Sequence, residues 1–364
     1  MMKILLLGEY SNVHATLAKG LRTLGHQVTV ASNGDFWKNY PRDIDLARKE
    51  GRWGGIRLMM KLMRELPKMR GYDVVQLINP LFFELKAENL RPIYDYLRRN
   101  NKKVFLGAFG MDWYWVKVNT EDKPLRYSDF NIGNEVRMNA DAVRERTDWL
   151  DTPKGELSKY IANDCDGIIA GLYEYWVCYQ PLFPDKTCFI PFPIEIPSPK
   201  PVPTFQSPVK LFIGINRSRN EYKGTDIMLK AAEEIVARYP DKLELRKAVS
   251  LPFNEYKQMM KGCDAILDQL YSYTPSMNPL QAMSEGIICI GGGEPENYDI
   301  INEKQLRPII NVQPTYESVV NELKKLALHP ERILQLKRES VEYVCRHHDH
   351  LKVARQYLDF YCRA

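Results

Sequence analysis

Short unbroken apolar runs alternate along the chain with longer segments whose apolar residues recur every three or four positions. KILLLG, residues 3 to 8, is apolar without alternation, the pattern of a parallel strand buried on both faces. A polar loop, GEYSNVH, follows, and ATLAKGLRTLG then carries helical spacing to a stop at Gly25. HQVTVAS, DVVQLIN, KKVFLGAFG and CDGIIAG read as further strands, with a helix over LRPIYDYLRRN. The alternation restarts at VKLFIGI, residues 209 to 215, and continues through DIMLKAAEEIVARY, LELRKAV, NEYKQMMKG, AILDQL, NPLQAMSEG and IICIGG. Strands separated by helices in both halves predict the α/β class, as two Rossmann-like doubly wound parallel sheets.

Between the halves lies FIPFPIEIPSPKPVPTFQSP, with a proline at almost every second position from 191 to 203. Such a run is stiff and extended and suits a linker. The expected division is an N-terminal domain over 1–190, a linker over 191–208, a second domain over 209–340 and a final helix over 341–364. The tail from Tyr316 to Tyr361 reads as helical, interrupted near His329 and Pro330. Two parallel-sheet domains so joined leave a cleft, and ligands bind outside the carboxyl ends of such strands.

Composition narrows the class. With 45% hydrophobic and 27% charged residues over 364 positions, the chain reads as a soluble globular protein. A net charge of +5 argues against a nucleic-acid partner, which calls for a denser basic footprint. The seven cysteines are scattered without CxxC spacing, so no zinc site or disulfide framework is expected, and a cytoplasmic setting fits. MMKILLLGEY reads as a first buried strand rather than a leader, and no apolar stretch approaches the roughly 20 residues of a membrane span.

Candidate chemistry gathers just after strands. GINRSRNEYKGTD, residues 214 to 226, brings Arg217, Arg219 and Lys223 into one loop between a strand and a helix. Three cations there suit a phosphate, gripped by arginine forks and a lysine point charge; pairing with Glu221 or Asp226 is the alternative. In YTPSMNPLQAMSEG, Asn278 reads as an N-cap and Pro279 as the first helical residue, so the helix N-terminus would favour an anion. Gly8 lets the backbone approach a ligand closely, and His14 in the same loop either meets substrate or is structural. The loop is neither a GxGxxG fingerprint nor a Walker A loop. Asp112, in LGAFGMDWYW, either orients a sugar hydroxyl or caps the next helix. Trp113, Tyr114 and Trp115 correspondingly stack on a sugar or fill the core. In residues 52–71, Arg57, Lys61, Arg64 and Lys68 recur on one helical face beside Ile56, Met59, Met60 and Met63. That is a peripheral membrane contact or a solvated face over a packed one. CRHHDH, residues 345 to 350, splays its histidines around a helix, and no metal site is expected there.

Together, GEYSNVH, FIPFPIEIP, GINRSRNEYKG and LQAMSEGIICI resemble the signatures of GT-B glycosyltransferases, most closely the retaining enzymes of glycosyltransferase family 4. The likeness covers nearly the whole chain, and it implies that the last helix crosses back to the first domain. It further implies a nucleotide-diphosphate sugar as donor substrate, no metal and no other cofactor. Arg217 and Lys223 would serve catalysis by holding the diphosphate and stabilising the leaving nucleotide. Arg219, Asn278, Leu280, Gln281 and Gly8 would bind the donor, while Asp112 and His14 would orient a glycan or lipid-linked glycan acceptor. Two positions depart from the family's pair of glutamates, which fall here on Tyr273 and Gln281. Glu285 lies one helical turn on from Gln281, and Glu294 or Glu296 in GGGEPE is expected to enter the site instead. The expected function is a hexosyltransferase of polysaccharide biosynthesis, cytoplasmic or at the inner membrane face. The alternatives are a nucleotide-sugar epimerase and a non-catalytic nucleotide-sugar-binding protein of the same fold.

Overall fold

A computed structural model of the protein describes residues 1–216 and 219–364. The chain forms two compact units. The first comprises Met1–Asp122, Arg144–Pro193 and His350–Ala364; the second comprises Lys123–Val143 and Ile194–Asp349.

The first unit is built on a seven-stranded parallel sheet. Its spatial order is Ile44–Asp45, Gln27–Ser32, Lys3–Leu7, Val74–Leu77, Lys103–Ala108, Gly167–Ala170 and Thr187–Phe189. Ile4 to Leu7 are fully buried, as an apolar run without alternation requires when helices cover both faces. The chain starts at Lys3–Leu7 and winds outward first to one side and then to the other. The order therefore reverses between Lys3–Leu7 and Val74–Leu77, which is the topological switch point.

The last helix, His350–Arg363, returns to this unit and packs on the Val13–Thr23 helix. Gly20 makes the approach feasible, since a Cβ there would stand 2.6 Å from the His350 carbonyl oxygen. At the helix's far end the Tyr361 hydroxyl donates to Gln76 Oε1 at 2.8 Å, partnering the carbonyl end of that buried side chain inside the sheet.

The second unit carries a five-stranded parallel sheet in the order Leu243–Val249, Val209–Ile215, Ala265–Leu267, Ile288–Gly291 and Ile310–Asn311. Its switch point lies between Val209–Ile215 and Ala265–Leu267. One face packs the Thr225–Arg238 and Tyr316–Leu328 helices through Met228, Ala231, Ile235, Val319 and Leu323.

Three boundaries differ from the sequence reading. The unit division falls at Pro193/Ile194 inside the proline-rich run, and the returning helix begins at His350 rather than 341. Ile333–His347 stays with the second unit. Lys123–Val143, expected to belong with residues 1–190, folds with the second unit.

Candidate functional site

Two sets of residues stand at the carboxyl ends of strands, one in each unit. In the second unit, the loop after Val209–Ile215 leads to a single helical turn, Asn220–Lys223, and then to Gly224 in the left-handed region at φ 70°. Glycine is required there: a Cβ would lie 2.6 Å from Leu270 Cβ and 2.8 Å from Tyr271 Cε2. Leu270 N–H donates to the Lys223 carbonyl at 3.0 Å, tying the two switch-point loops together. Beside Lys223 sits Asp268. Burial pushes its carboxyl up, and the Lys223 ammonium and the Gln269 and Asn278 side chains pull it back. The Arg219 guanidinium lies 5.0 Å from the Tyr222 ring centroid. Arg217 lies outside the described residues.

Asn278 is not a cap. The helix spans Met277–Ser284, with Ser276 at the cap position, so Asn278 is already its second residue. Its amide donates instead to Tyr256 Oη at 2.9 Å and reaches Asp268. Leu280 is fully buried, and Gln281 Nε2 donates to Ser284 Oγ at 3.2 Å within its own helix.

Residues 123–143 cross this same edge as a strap. Their short hairpin pairs Asn131–Ile132 with Glu135–Val136. Arg126 donates its backbone N–H to Tyr273 Oη at 2.7 Å and its guanidinium to Glu294 at 2.7 Å and Glu296 at 2.5 Å. Glu294 also accepts from Tyr127 Oη, Asn311 and Gln313. Burial pushes the Glu294 carboxyl up, but these partners outweigh it and leave the group below its ordinary range. At the strap's other end, Arg137 donates to the carbonyls of Glu221 at 2.8 Å and Tyr222 at 3.2 Å. Its guanidinium lies 3.6 Å from the Tyr271 ring centroid. The expectation that Glu294 or Glu296 substitutes for the missing carboxylates is corrected here: both are bound to Arg126. Tyr273, at the first of those positions, is buried beneath the strap. No periodicity marks residues 123–143, and their arginines read in sequence as surface charge.

In the first unit, the loop at the switch point carries Gly8, Glu9, Tyr10 and His14. Gly8 adopts φ 82°, and a Cβ would strike the Ile78 side chain and stand 2.9 Å from the Phe82 carbonyl. Its freedom thus serves the approach of the protein's own backbone. His14 is fully buried, with Nδ1 2.9 Å from the Gly8 carbonyl, so Nδ1 carries the proton and Nε2 presents a lone pair. That Nε2 atom is buried without a hydrogen-bond partner. Burial holds the ring's pKa down at about 3, the Gly8 bond opposing it, so the ring is neutral at physiological pH.

Glu9 was missed by sequence reasoning. Its carboxyl is buried against the start of the Val13–Thr23 helix, accepting N–H bonds from Ala15 at 2.8 Å and His14 at 3.3 Å. Burial nevertheless pushes it up to about 8. The nearest sequence signal was an acidic residue immediately after a glycine at a strand end.

Asp112 caps the Trp113–Thr120 helix, accepting from Trp115 N–H at 2.8 Å and Tyr179 Oη at 2.8 Å. Burial pushes its carboxyl to about 6. Of the neighbouring aromatics, Tyr114 and Trp115 are buried in the core, the packing alternative of the two foreseen. The structure thus brings Gly8 and His14 together, and separately Lys223, Asp268 and Asn278. His347, from the CRHHDH run, lies 2.7 Å from Glu303. Among the described residues no cluster of His, Cys, Asp or Glu could hold a metal.

No family model matches the chain, and no curated protein matches it in sequence. Solved structures do match in fold. Sucrose-phosphate synthase from Thermosynechococcus elongatus superposes with a TM-score of 0.64 at 13% identity, over 99% of this chain and 98% of that one. Anabaena HepE, solved with UDP and glucose, gives 0.59 at 12% identity over 99% of both chains. A Listeria monocytogenes protein assigned as a UDP-N-acetylglucosamine 2-epimerase gives 0.55 at 11% identity, over 98% of this chain and 95% of that one. The first two are GT-B glycosyltransferases. At these identities the likeness is one of fold, two Rossmann-like parallel-sheet domains of GT-B type.

Proposed function

We propose that the protein is a retaining glycosyltransferase that moves a sugar, a hexose by resemblance, from a nucleotide-diphosphate sugar to a glycan or lipid-linked glycan. The observation that carries this reading is the position of Arg219 and Lys223 at the switch point of the second sheet, where parallel sheets bind ligands. HepE, which shares the fold, binds UDP-glucose. In this reading Lys223 and Arg219, with Arg217 from the same loop, hold the diphosphate and stabilise charge on the leaving nucleotide. The half-buried Asp268 keeps the Lys223 ammonium oriented, and Asn278 and Gln281 lie beyond it toward the nucleoside. No metal is needed, because fixed cations supply the electrostatics.

The acceptor belongs to the first unit's switch point. There the bare His14 Nε2 accepts a hydrogen bond from an acceptor hydroxyl and so orients it. Asp112 holds the loop rather than the sugar. On the donor side, Tyr273 and Gln281 stand where carboxylates would, and Glu294 and Glu296 are bound by Arg126. Front-face transfer fits this edge: the acceptor oxygen bonds to the anomeric carbon on the side from which the diphosphate leaves. The diphosphate oxygen then takes the hydroxyl proton.

Nucleotide-sugar epimerisation is the second reading, supported by the fold shared with the Listeria protein. A thermal-shift screen of nucleoside-diphosphate sugars tests the proposal, since a ligand at a hundred times its Kd stabilises by about 2.7 kcal/mol. The melting temperature should rise with at least one donor, and adding an acceptor should release nucleoside diphosphate. No stabilisation by any donor contradicts the proposal. A donor epimerised without acceptor selects the second reading.

A further inference from the structure

The Gly54–Glu65 helix carries two apolar stripes with different surroundings. Leu58 and Leu62, followed by Leu66 one turn on, are buried against the first unit. Ile56, Met60 and Met63 recur at spacings of four and three, which aligns them along the opposite side. They are 53%, 61% and 61% exposed, and Trp53, just before the helix, is 57% exposed. Of the two sequence expectations for this segment, a membrane contact and a packed face, packing does not account for these three residues. A surface helix ordinarily turns polar residues to water there.

The polar residues flank the stripe instead, and they are cations. Between residues 48 and 70 the chain carries eight Lys or Arg and two Glu. One of those two, Glu65, is turned inward and paired with Lys68 at 2.6 Å and Arg64 at 3.1 Å. A second apolar pair lies on the turn Phe36–Lys38, where Phe36 is 62% and Trp37 63% exposed. Hydrogen bonds link that turn to the helix: Arg42 binds both Asn39 and Asp45, and Asp45 pairs with Lys61.

We propose that this face of the first unit, Phe36 and Trp37 together with the outward stripe of the Gly54–Glu65 helix, docks the protein on an anionic membrane surface. The apolar ridge enters the boundary between headgroups and acyl chains, where tryptophan is favoured. The flanking cations meet lipid phosphates. Charge chooses this occupant over a second copy of the chain, whose identical cationic rim would repel this one across a shared face. The protein lies on the surface without spanning it, since no described helix is long and apolar enough to cross. The inference is independent of the glycosyltransferase reading.

The test is co-sedimentation of the full chain with phosphatidylcholine vesicles, with and without about a third phosphatidylglycerol. Wild type should pellet with the anionic vesicles, be released by added salt and ignore pure phosphatidylcholine. Two variants, Trp53→Ser/Ile56→Ser/Met60→Ser/Met63→Ser and Arg52→Glu/Arg57→Glu, should each bind roughly tenfold or more weakly at an unchanged melting temperature. The proposal is overturned if wild type ignores anionic vesicles or if both variants bind like wild type. It is equally overturned if sedimentation velocity finds a wild-type dimer that the apolar quadruple variant converts to monomer.

Discussion

Glu9 ties the stability of the first unit to pH. Its carboxyl rises from an ordinary 4.5 to about 8 because burial disfavours the charge more than two N–H donors favour it. A raised folded value means the native state holds the proton longer than the unfolded chain does. The resulting stability is whole below about pH 4.5 and is lost as pH rises through 8. Two neighbours act lower on the scale. Asp112, raised to about 6 chiefly by burial, finishes its loss near there; His14, lowered to about 3 by burial, adds stability between pH 3 and 6.5. Between pH 6.5 and 8, Glu9 is therefore the one of the three that titrates, with a slope of up to about 1.4 kcal/mol per pH unit. Denaturant unfolding of wild type should show this fall, and Glu9→Gln should flatten it; equal slopes in the two proteins contradict the assignment. None of this was legible in sequence, where a glutamate after a glycine reads as a solvated loop. Whether Asp112 would cap or catalyse was equally undecided there, because both roles require a carboxylate at a strand end.

At the scale of elements, periodicity located the strands and helices because burial on two faces and burial along one stripe leave different repeats. It gave nothing for residues 123–143, whose attachment comes from individual side chains. Arg126 clamps Glu294 and Glu296, and Arg137 binds two carbonyls and a tyrosine ring. The Arg126 side chain is half exposed, so solvent screening reduces the clamp to roughly 1 kcal/mol or less. Arg126→Ala should accordingly open the strap up to about fivefold more often. Limited chymotrypsin digestion reads this directly: cleavage at Tyr127 and Phe130 should accelerate while cleavage elsewhere keeps its wild-type rate. Unchanged rates at those two residues would mean that the clamp does not hold the strap. The same limit of sequence reading moved the start of the Met277–Ser284 helix. Asn278 and Pro279 fit a cap and first turn by propensity, but Asn278 turns to Tyr256 and the chain begins its helix two residues earlier, at Met277.

At the scale of the molecule, the doubly wound class and the break in the proline-rich run follow from strand–helix alternation and chain stiffness. The composition of the two units does not, since a segment from the first half folds with the second and the last helix folds with the first. Those pairings depend on contacts between residues far apart in sequence, such as Tyr127 with Glu294 and Tyr361 with Gln76. The switch points are likewise a property of strand order, invisible until the sheets are assembled. Once they are, Gly8 and His14 fall at one switch point and Arg219 and Lys223 at the other. The central claim is that the second of these holds a diphosphate. Titration calorimetry of wild type and Lys223→Ala, with the nucleotide sugar that most raises the melting temperature, tests it most directly. Loss of one charge-assisted contact to phosphate, on the order of 1.5–3 kcal/mol, should weaken binding roughly ten- to a hundredfold. Equal affinity in the two proteins would contradict the claim.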